Sequence, residues 1–259
     1  MKSLADLPLI TCYAEPHKRK SQDVLRAFAE GCGARLSSTT ARELEPGAAA
    51  FYGVRPPWQH LWQQAKREGR DWYYIDNSFM DAGREKYFRI SKNKVQDWSR
   101  KPSDGKRFAA LGVEIKPWRA SGRHILICPQ SDEFMQTVAQ ELSWTDRVAS
   151  EISARSKRMI HVRKKVKRGA PFAEDLADAH LVVVHSSAAA IEALIQGVPV
   201  IVTDKNCAAY AFTSGFEEIE SPRMIGGRKE FAERLADSQF TLDELKNGYA
   251  WEAICDMGG

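Results

Sequence analysis

The stretch His180-Leu-Val-Val-Val-His-Ser-Ser-Ala-Ala-Ala-Ile-Glu-Ala-Leu-Ile-Gln-Gly-Val-Pro-Val-Ile-Val-Thr203 constrains the fold more than any other part of this chain. Leu181–Val184 is a valine-rich apolar run with no polar alternation, which suits a parallel strand covered on both faces. A helix follows the polar turn at His185-Ser186-Ser187. Gly197 and Pro199 stop it, because glycine accepts a left-handed cap and proline cannot continue a helix. Val198–Val202 is the next strand. A strand-helix-strand unit this short is half of a doubly wound α/β fold, and such a fold binds ligands where its first strand ends. His185, Ser186 and Ser187 occupy that end, and Glu192 lies inside the helix.

Serines at such a turn serve as helix caps as readily as ligand contacts. Beside free backbone N–H groups they also suit a phosphate-bearing ligand. The segment His185–Pro199 resembles the nucleotide-sugar segment of GT-B glycosyltransferases. In that family a strand ends in His or Asn, Ser or Gly residues follow, and a helix carries Glu ahead of Gly-x-Pro. The resemblance covers about residues 121–215 and is nearest to capsule-polysaccharide transferases and phage-type DNA-modifying transferases; the glycine-rich start common in the larger family is missing. It implies an α/β chain of two Rossmann-like domains facing a cleft, with a nucleotide-sugar donor, a UDP-sugar, as substrate. It assigns Glu192 to the ribose hydroxyls.

Two other strand ends converge on the same place in this reading. His124–Cys128 opens at Pro129-Gln130-Ser131, and Arg158–Val162 opens at Arg163-Lys164-Lys165. Gln130 joins the donor set there. Arg163 and Lys165 supply cations for a diphosphate, Arg through forked hydrogen bonds and Lys as a compact charge.

The first 80 residues repeat the strand-helix pattern, with strands at Pro8–Ala14, about Ala49–Val54 and Asp71–Ile75. Ser21 is placed to cap a helix from about Gln22 to Glu30. Trp58, Leu61, Trp62 and Ala65 have the 3–4 spacing of a core-facing helix. Tyr87–Ile90 is a short strand. The expected organisation is an acceptor-side domain over residues 1–115, a nucleotide-sugar domain over 116–240, and a C-terminal helix over 241–259 packing back on the first. His17 and Asp76 stand after the first and third strands, where either can deprotonate an acceptor hydroxyl. A turn-capping Asp or a backbone-bound His is the plainer alternative.

Net charge is only +4, yet it is unevenly spread. Residues 84–123 carry twelve Lys/Arg against four Asp/Glu, and residues 155–168 carry eight and none. A solvated basic face or a polyanion-facing surface both explain this. Bases mixed with aromatics suit phosphate tracking with base stacking. Lys18, Arg19, Arg89, Lys92, Lys94, Trp98, Arg100 and Lys101 are the candidates for nucleic-acid contact. No apolar stretch approaches the ~18–20 residues of a membrane span, and no secretory signal is seen. Five scattered cysteines without metal spacing suit reduced thiols in a cytoplasm, that of the host cell if the gene is phage-borne. No metal site is expected, since Lys and Arg supply the charge.

The sequence thus points to a metal-independent glycosyltransferase moving a sugar from a nucleotide-sugar to a hydroxyl, with a hydroxymethylated base in phage DNA as a candidate acceptor. A surface or capsule glycan is the alternative acceptor. A non-catalytic nucleic-acid-binding α/β module is the alternative of another class. Sugar, nucleotide and oligomeric state stay open.

Overall fold

A computed structural model describes residues 9–37, 41–54, 57–80, 87–163 and 171–257. The chain divides into two compact units, Met1–Ser103 with Arg234–Gly259, and Asp104–Glu233.

The first unit opens with β1 (Ile10–Tyr13), α1 (Arg19–Cys32), β2 (Arg35–Ser37), β3 (Ala48–Tyr52), α2 (Gln59–Arg67), β4 (Trp72–Asn77) and β5 (Phe88–Lys92). The second holds α3 (Lys106–Ala110), β6 (His124–Cys128), α4 (Asp132–Phe134), a π-helical turn (Met135–Ala139), α5 (Trp144–Ser153), β7 (Met159–Val162), α6 (Phe172–Leu176), β8 (Ala179–Val184), α7 (Ala189–Ile195) and β9 (Val200–Val202). Two 3₁₀ turns follow, and the second division falls within α8 (Arg228–Ala236). The chain then re-enters the first unit as β10 (Gln239–Phe240), α9 (Leu242–Lys246) and α10 (Tyr249–Met257).

The first unit's sheet runs β10-β5-β4-β3-β1-β2, parallel from β2 to β4 and antiparallel at β5 and β10. Alternation along the strands sorts its two faces. Ile10, Cys12, Ala50, Tyr73, Ile75, Phe88 and Ile90 pack with Val24, Leu25 and Phe28 of α1 and with Leu245 and Ile254 of the returning helices. Burying a side chain such as Phe28 contributes about 1.5–3 kcal/mol. On the other face Tyr13 stacks on Phe51 at 5.5 Å, and Trp62 of α2 meets Trp72 edge-on at 5.6 Å. A Cβ on Gly31 would lie 1.9 Å from the Leu245 carbonyl oxygen, so α1 and α9 can cross this closely only without one.

Several local expectations change. Ser21 does not cap α1, which starts at Arg19 after Lys18. Instead Ser21 is buried, and its Oγ accepts from the Glu15 N–H at 3.2 Å, clamping the β1–α1 turn. β4 runs on to Asn77, so Asp76 is a strand residue rather than a loop residue. Asn247 and Gly248, the latter at φ +88°, break the closing helix into α9 and α10.

The second unit's sheet is wholly parallel, in the order β7-β6-β8-β9. Ile125, Ile127, Leu181, Val183 and Ile201 form one core with Met135, Trp144, Val148 and Ile152. β8 is buried along its whole length, as its unalternated sequence predicts. Residues before β6 belong to this unit because they are strapped onto it. The Lys116 N–H donates to the Ile195 carbonyl, and the Arg119 N–H to that of Gly197, each at 2.8 Å. The division therefore falls after Ser103 rather than at 115/116. The return to the first unit precedes 240/241 because Gln239 and Phe240 pair with β5. The α/β class with two Rossmann-like sheets agrees with the sequence reading.

Candidate ligand site at the carboxyl ends of β6 and β8

In the second unit β6 leads through α4 and α5 to β7 on one side, and β8 leads through α7 to β9 on the other. Right-handed crossovers in opposite directions leave opposite faces of a sheet. β6 and β8 are nevertheless neighbours, so a crevice opens where their ends part, the switch point at which such sheets bind ligands. Gln130 and Ser186 meet there. The Gln130 Oε1 accepts from both the Ser186 N–H and the Ser186 Oγ–H, at 3.1 Å each.

His185 lies beside this clasp. Its Nδ1 is 3.1 Å from Ser186 Oγ and 3.9 Å from Asp204 Oδ2. Phe134 and Trp144 flank its ring at 6.4 and 6.2 Å between centroids. Burial holds its pKa below the ordinary histidine value, against the opposing pull of Asp204 and Glu141. The Trp144 Nε1–H donates to Thr203 Oγ1 at 2.9 Å, tying α5 to the end of β9. Ser187 Oγ accepts from the Ala189 N–H at 3.2 Å, so this serine shapes the turn into α7.

Arg163 follows β7 and pairs with Asp175 at 2.8 Å, its guanidinium 5.1 Å from the Phe172 ring. Arg163, Asp175 and Glu192 all act electrostatically on Cys128, the last residue of β6, whose thiol burial pushes up to about 12. The Arg163 N–H donates to the Ile127 carbonyl at 2.9 Å, which sets this residue beside the end of β6. Lys165 lies outside the described residues.

Farther along the sheet edge, past β9, a cavity of about 490 Å³ is lined by Thr203, Tyr210, Phe216, Arg147 and Arg223 among others. Both arginines are held by carboxylates outside the lining. Arg147 binds Glu141 through Nε at 2.6 Å and Nη2 at 3.1 Å, and Arg223 binds Glu218 at 2.7 Å. Asp204 and Arg147 were not legible as site residues, although Asp204 follows a strand end as His185 does.

In the first unit His17 is exposed in the turn after β1. Glu15, missed by the sequence reading, is the buried acid of that turn and pairs with Lys18 at 2.5 Å. Asp76 is bound by three donors: Arg89 Nη2 at 2.8 Å, the Tyr74 hydroxyl at 3.1 Å and the Asn77 N–H at 2.8 Å. Arg89 is buried, its side chain only 8% exposed, so it is no surface contact for a polyanion. The reason is register: Asp76 and Arg89 are opposite each other on β4 and β5 and share a face.

The other expected nucleic-acid cations each have an acidic partner. Arg19 pairs with Asp23, Lys92 with Asp71, Lys94 and Arg100 with Asp97, and Lys101 with Asp256. The Trp98 ring is covered by the Arg100 guanidinium at 3.6 Å. Among the described residues no group of three or more His, Cys, Asp and Glu could hold a metal ion. Nor is any helix among them long and apolar enough to cross a membrane.

No family model matches this sequence, and no curated protein matches it. Solved structures do. Thermosulfurimonas dismutans KpsC, beta Kdo 2,7 transferase, superposes with a TM-score of 0.52 at 10% identity, over 95% of this chain and 99% of that one. Thermosulfurimonas dismutans KpsC, beta Kdo 2,4 transferase, gives 0.46 at 11% identity, over 86% and 89%. The likeness to the 2,7 transferase is one of fold alone.

Proposed function

We propose that this chain is a glycosyltransferase that moves a sugar from a nucleotide-sugar, a UDP-sugar, to a hydroxyl of a saccharide acceptor. The observation that carries the reading is the Gln130–Ser186 clasp at the switch point of the second sheet, with Arg163 beside the end of β6. The fold shared with a sugar transferase supports it.

In this reading Glu192 accepts the ribose hydroxyls, Arg163 and Lys165 neutralise the diphosphate, and Ser186 and Ser187 line its path. Preorganised positive groups stabilise charge as it develops on the departing phosphate, which asks for no metal. His17 is the better candidate for the acceptor's base, because the Asp76 carboxylate is already bound by three donors.

A saccharide suits the acceptor better than a DNA base. Each described cation of the expected DNA-facing belt has an acidic partner, which lowers the net positive charge that this belt offers to phosphates. A thermal-shift panel of nucleoside diphosphates and their sugars tests the donor, since a ligand bound only by the folded state raises its stability. Glu192→Ala and Arg163→Ala should each abolish the shift. A shift unchanged in both variants refutes the donor assignment. Duplex binding with a steep salt dependence would instead restore DNA as the acceptor.

A further inference from the structure

The contacts around His185 all close as hydrogen bonds in one arrangement of its ring proton. Gln130 Oε1 accepts from the Ser186 N–H and from the Ser186 hydroxyl. A serine hydroxyl has one proton. Once that proton is given to Gln130, Ser186 Oγ can only accept from the His185 Nδ1, 3.1 Å away. Asp204 Oδ2, 3.9 Å from the same nitrogen, favours a proton there as well. The other nitrogen, Nε2, has no hydrogen-bond partner among the described residues and is not one of their sealed polar atoms. The imidazole is therefore oriented by a serine and a glutamine from one side and offers a lone pair on the other.

We propose that His185 is the proton acceptor of this site: at rest Nδ1 holds its one ring proton, and arrival of a phosphate-bearing ligand adds a proton from water to Nε2. The second half rests on the donor reading above. The charged groups facing the ring come from three elements: Asp204 after β9, Glu141 ahead of α5, and Arg147 on α5. Burial and Arg147 keep the resting ring neutral against the two acids. A phosphate reaching Nε2 adds negative charge beside the ring, and an opposite charge at contact distance favours the protonated form. The Nε2–H so formed then donates to the phosphate, a charge-assisted bond of the stronger class.

Nitrogen NMR of the full chain, with isotope-labelled histidine rings, tests both halves. The His185 signals are those lost in His185→Gln. At mildly alkaline pH the expected pattern is a pyrrole-type Nδ1 and a pyridine-type Nε2. Ser186→Ala should shift the balance toward protonated Nε2. Wild-type protein with protonated Nε2 overturns the proposal. With UDP bound, as verified by calorimetry, the ring should become imidazolium at a pH where the unliganded ring is neutral. UDP affinity should then weaken about tenfold per pH unit between the resting and the liganded pKa, a slope that His185→Gln removes. A ring that stays neutral with UDP bound overturns the uptake step and leaves the donor reading intact. Failure of UDP and its sugars to bind at all overturns the donor reading and the uptake step with it, while the resting tautomer is still decided by the first measurement.

Discussion

Asp76 should prove a structural anion, and its pairing with Arg89 can be measured. The two residues oppose each other on β4 and β5, with side chains 25% and 8% exposed. Arg89 Nε has no hydrogen-bond partner among the described residues, so the guanidinium depends on Asp76 for its compensation. Asp76→Ala leaves a buried cation unpaired and should cost about 3–5 kcal/mol. Arg89→Met is milder. It leaves Asp76 a quarter exposed and still bound by the Tyr74 hydroxyl and the Asn77 N–H, for a loss of about 1–2 kcal/mol. The double variant has no buried charge left, so its loss should fall short of the sum of the singles by about 2–3 kcal/mol. Urea titration with hydrogen exchange read on the β4 and β5 segments isolates this unit's stability. Equal losses in the two single variants, or strict additivity in the double, would refute the argument. Asp76→Asn that is as stable as wild type yet inactive would return Asp76 to the role of base.

Other outcomes follow from the second unit. Burial depresses the pKa of His124, His180 and His185 below the ordinary histidine value. The folded state thus favours their neutral forms. That stability is complete above pH ~6.5 and is lost as pH falls toward the folded values. Hydrogen exchange between pH 8 and pH 5 should show β6 and β8 losing protection over that window, and protection flat with pH would contradict it. Gly197 sits at φ +74°, and a Cβ there would lie 1.9 Å from the Pro117 carbonyl oxygen. Gly197→Ala should lower the melting temperature well beyond Gly112→Ala, where φ is +65° but the space is open. A smaller loss at Gly197 would argue against the strap at residues 116–119. Gln130→Leu should remove the Oε1 that accepts from the buried Ser186 N–H and cost about 1–3 kcal/mol, together with any nucleotide-induced thermal shift; an unchanged melting point would refute the clasp.

The segment from β8 to β9 was legible because burial on both faces leaves an apolar run with no alternation, and Gly197 and Pro199 punctuate it. The strand ends proposed for the site followed from that. Short elements were not legible. Arg35–Ser37 and Gln239–Phe240 are polar in part and strand-forming only through their neighbours β1 and β5. Asp76 and Arg89 were read separately, as a base and as a DNA contact, because antiparallel register joins residues that sequence spacing does not. The partners of the basic belt were hidden for the same reason: Lys92 and Lys101 find Asp71 and Asp256, both distant in the sequence. Trp98 has polar neighbours in sequence and a guanidinium lying on it in space. The Gln130–Ser186 clasp needed the crossover geometry before either residue had a partner.

The chain leaves the first sheet after Ser103 and supplies β10, α9 and α10 to it only after Arg234. On the ribosome, therefore, the half whose synthesis begins first is the half completed last. Its apolar face, with Phe28 and Tyr73, waits for Trp251 and Ile254 while the whole intervening module is made. Premature termination anywhere beyond the module would spare the later-made sheet and strand the earlier one without its cover.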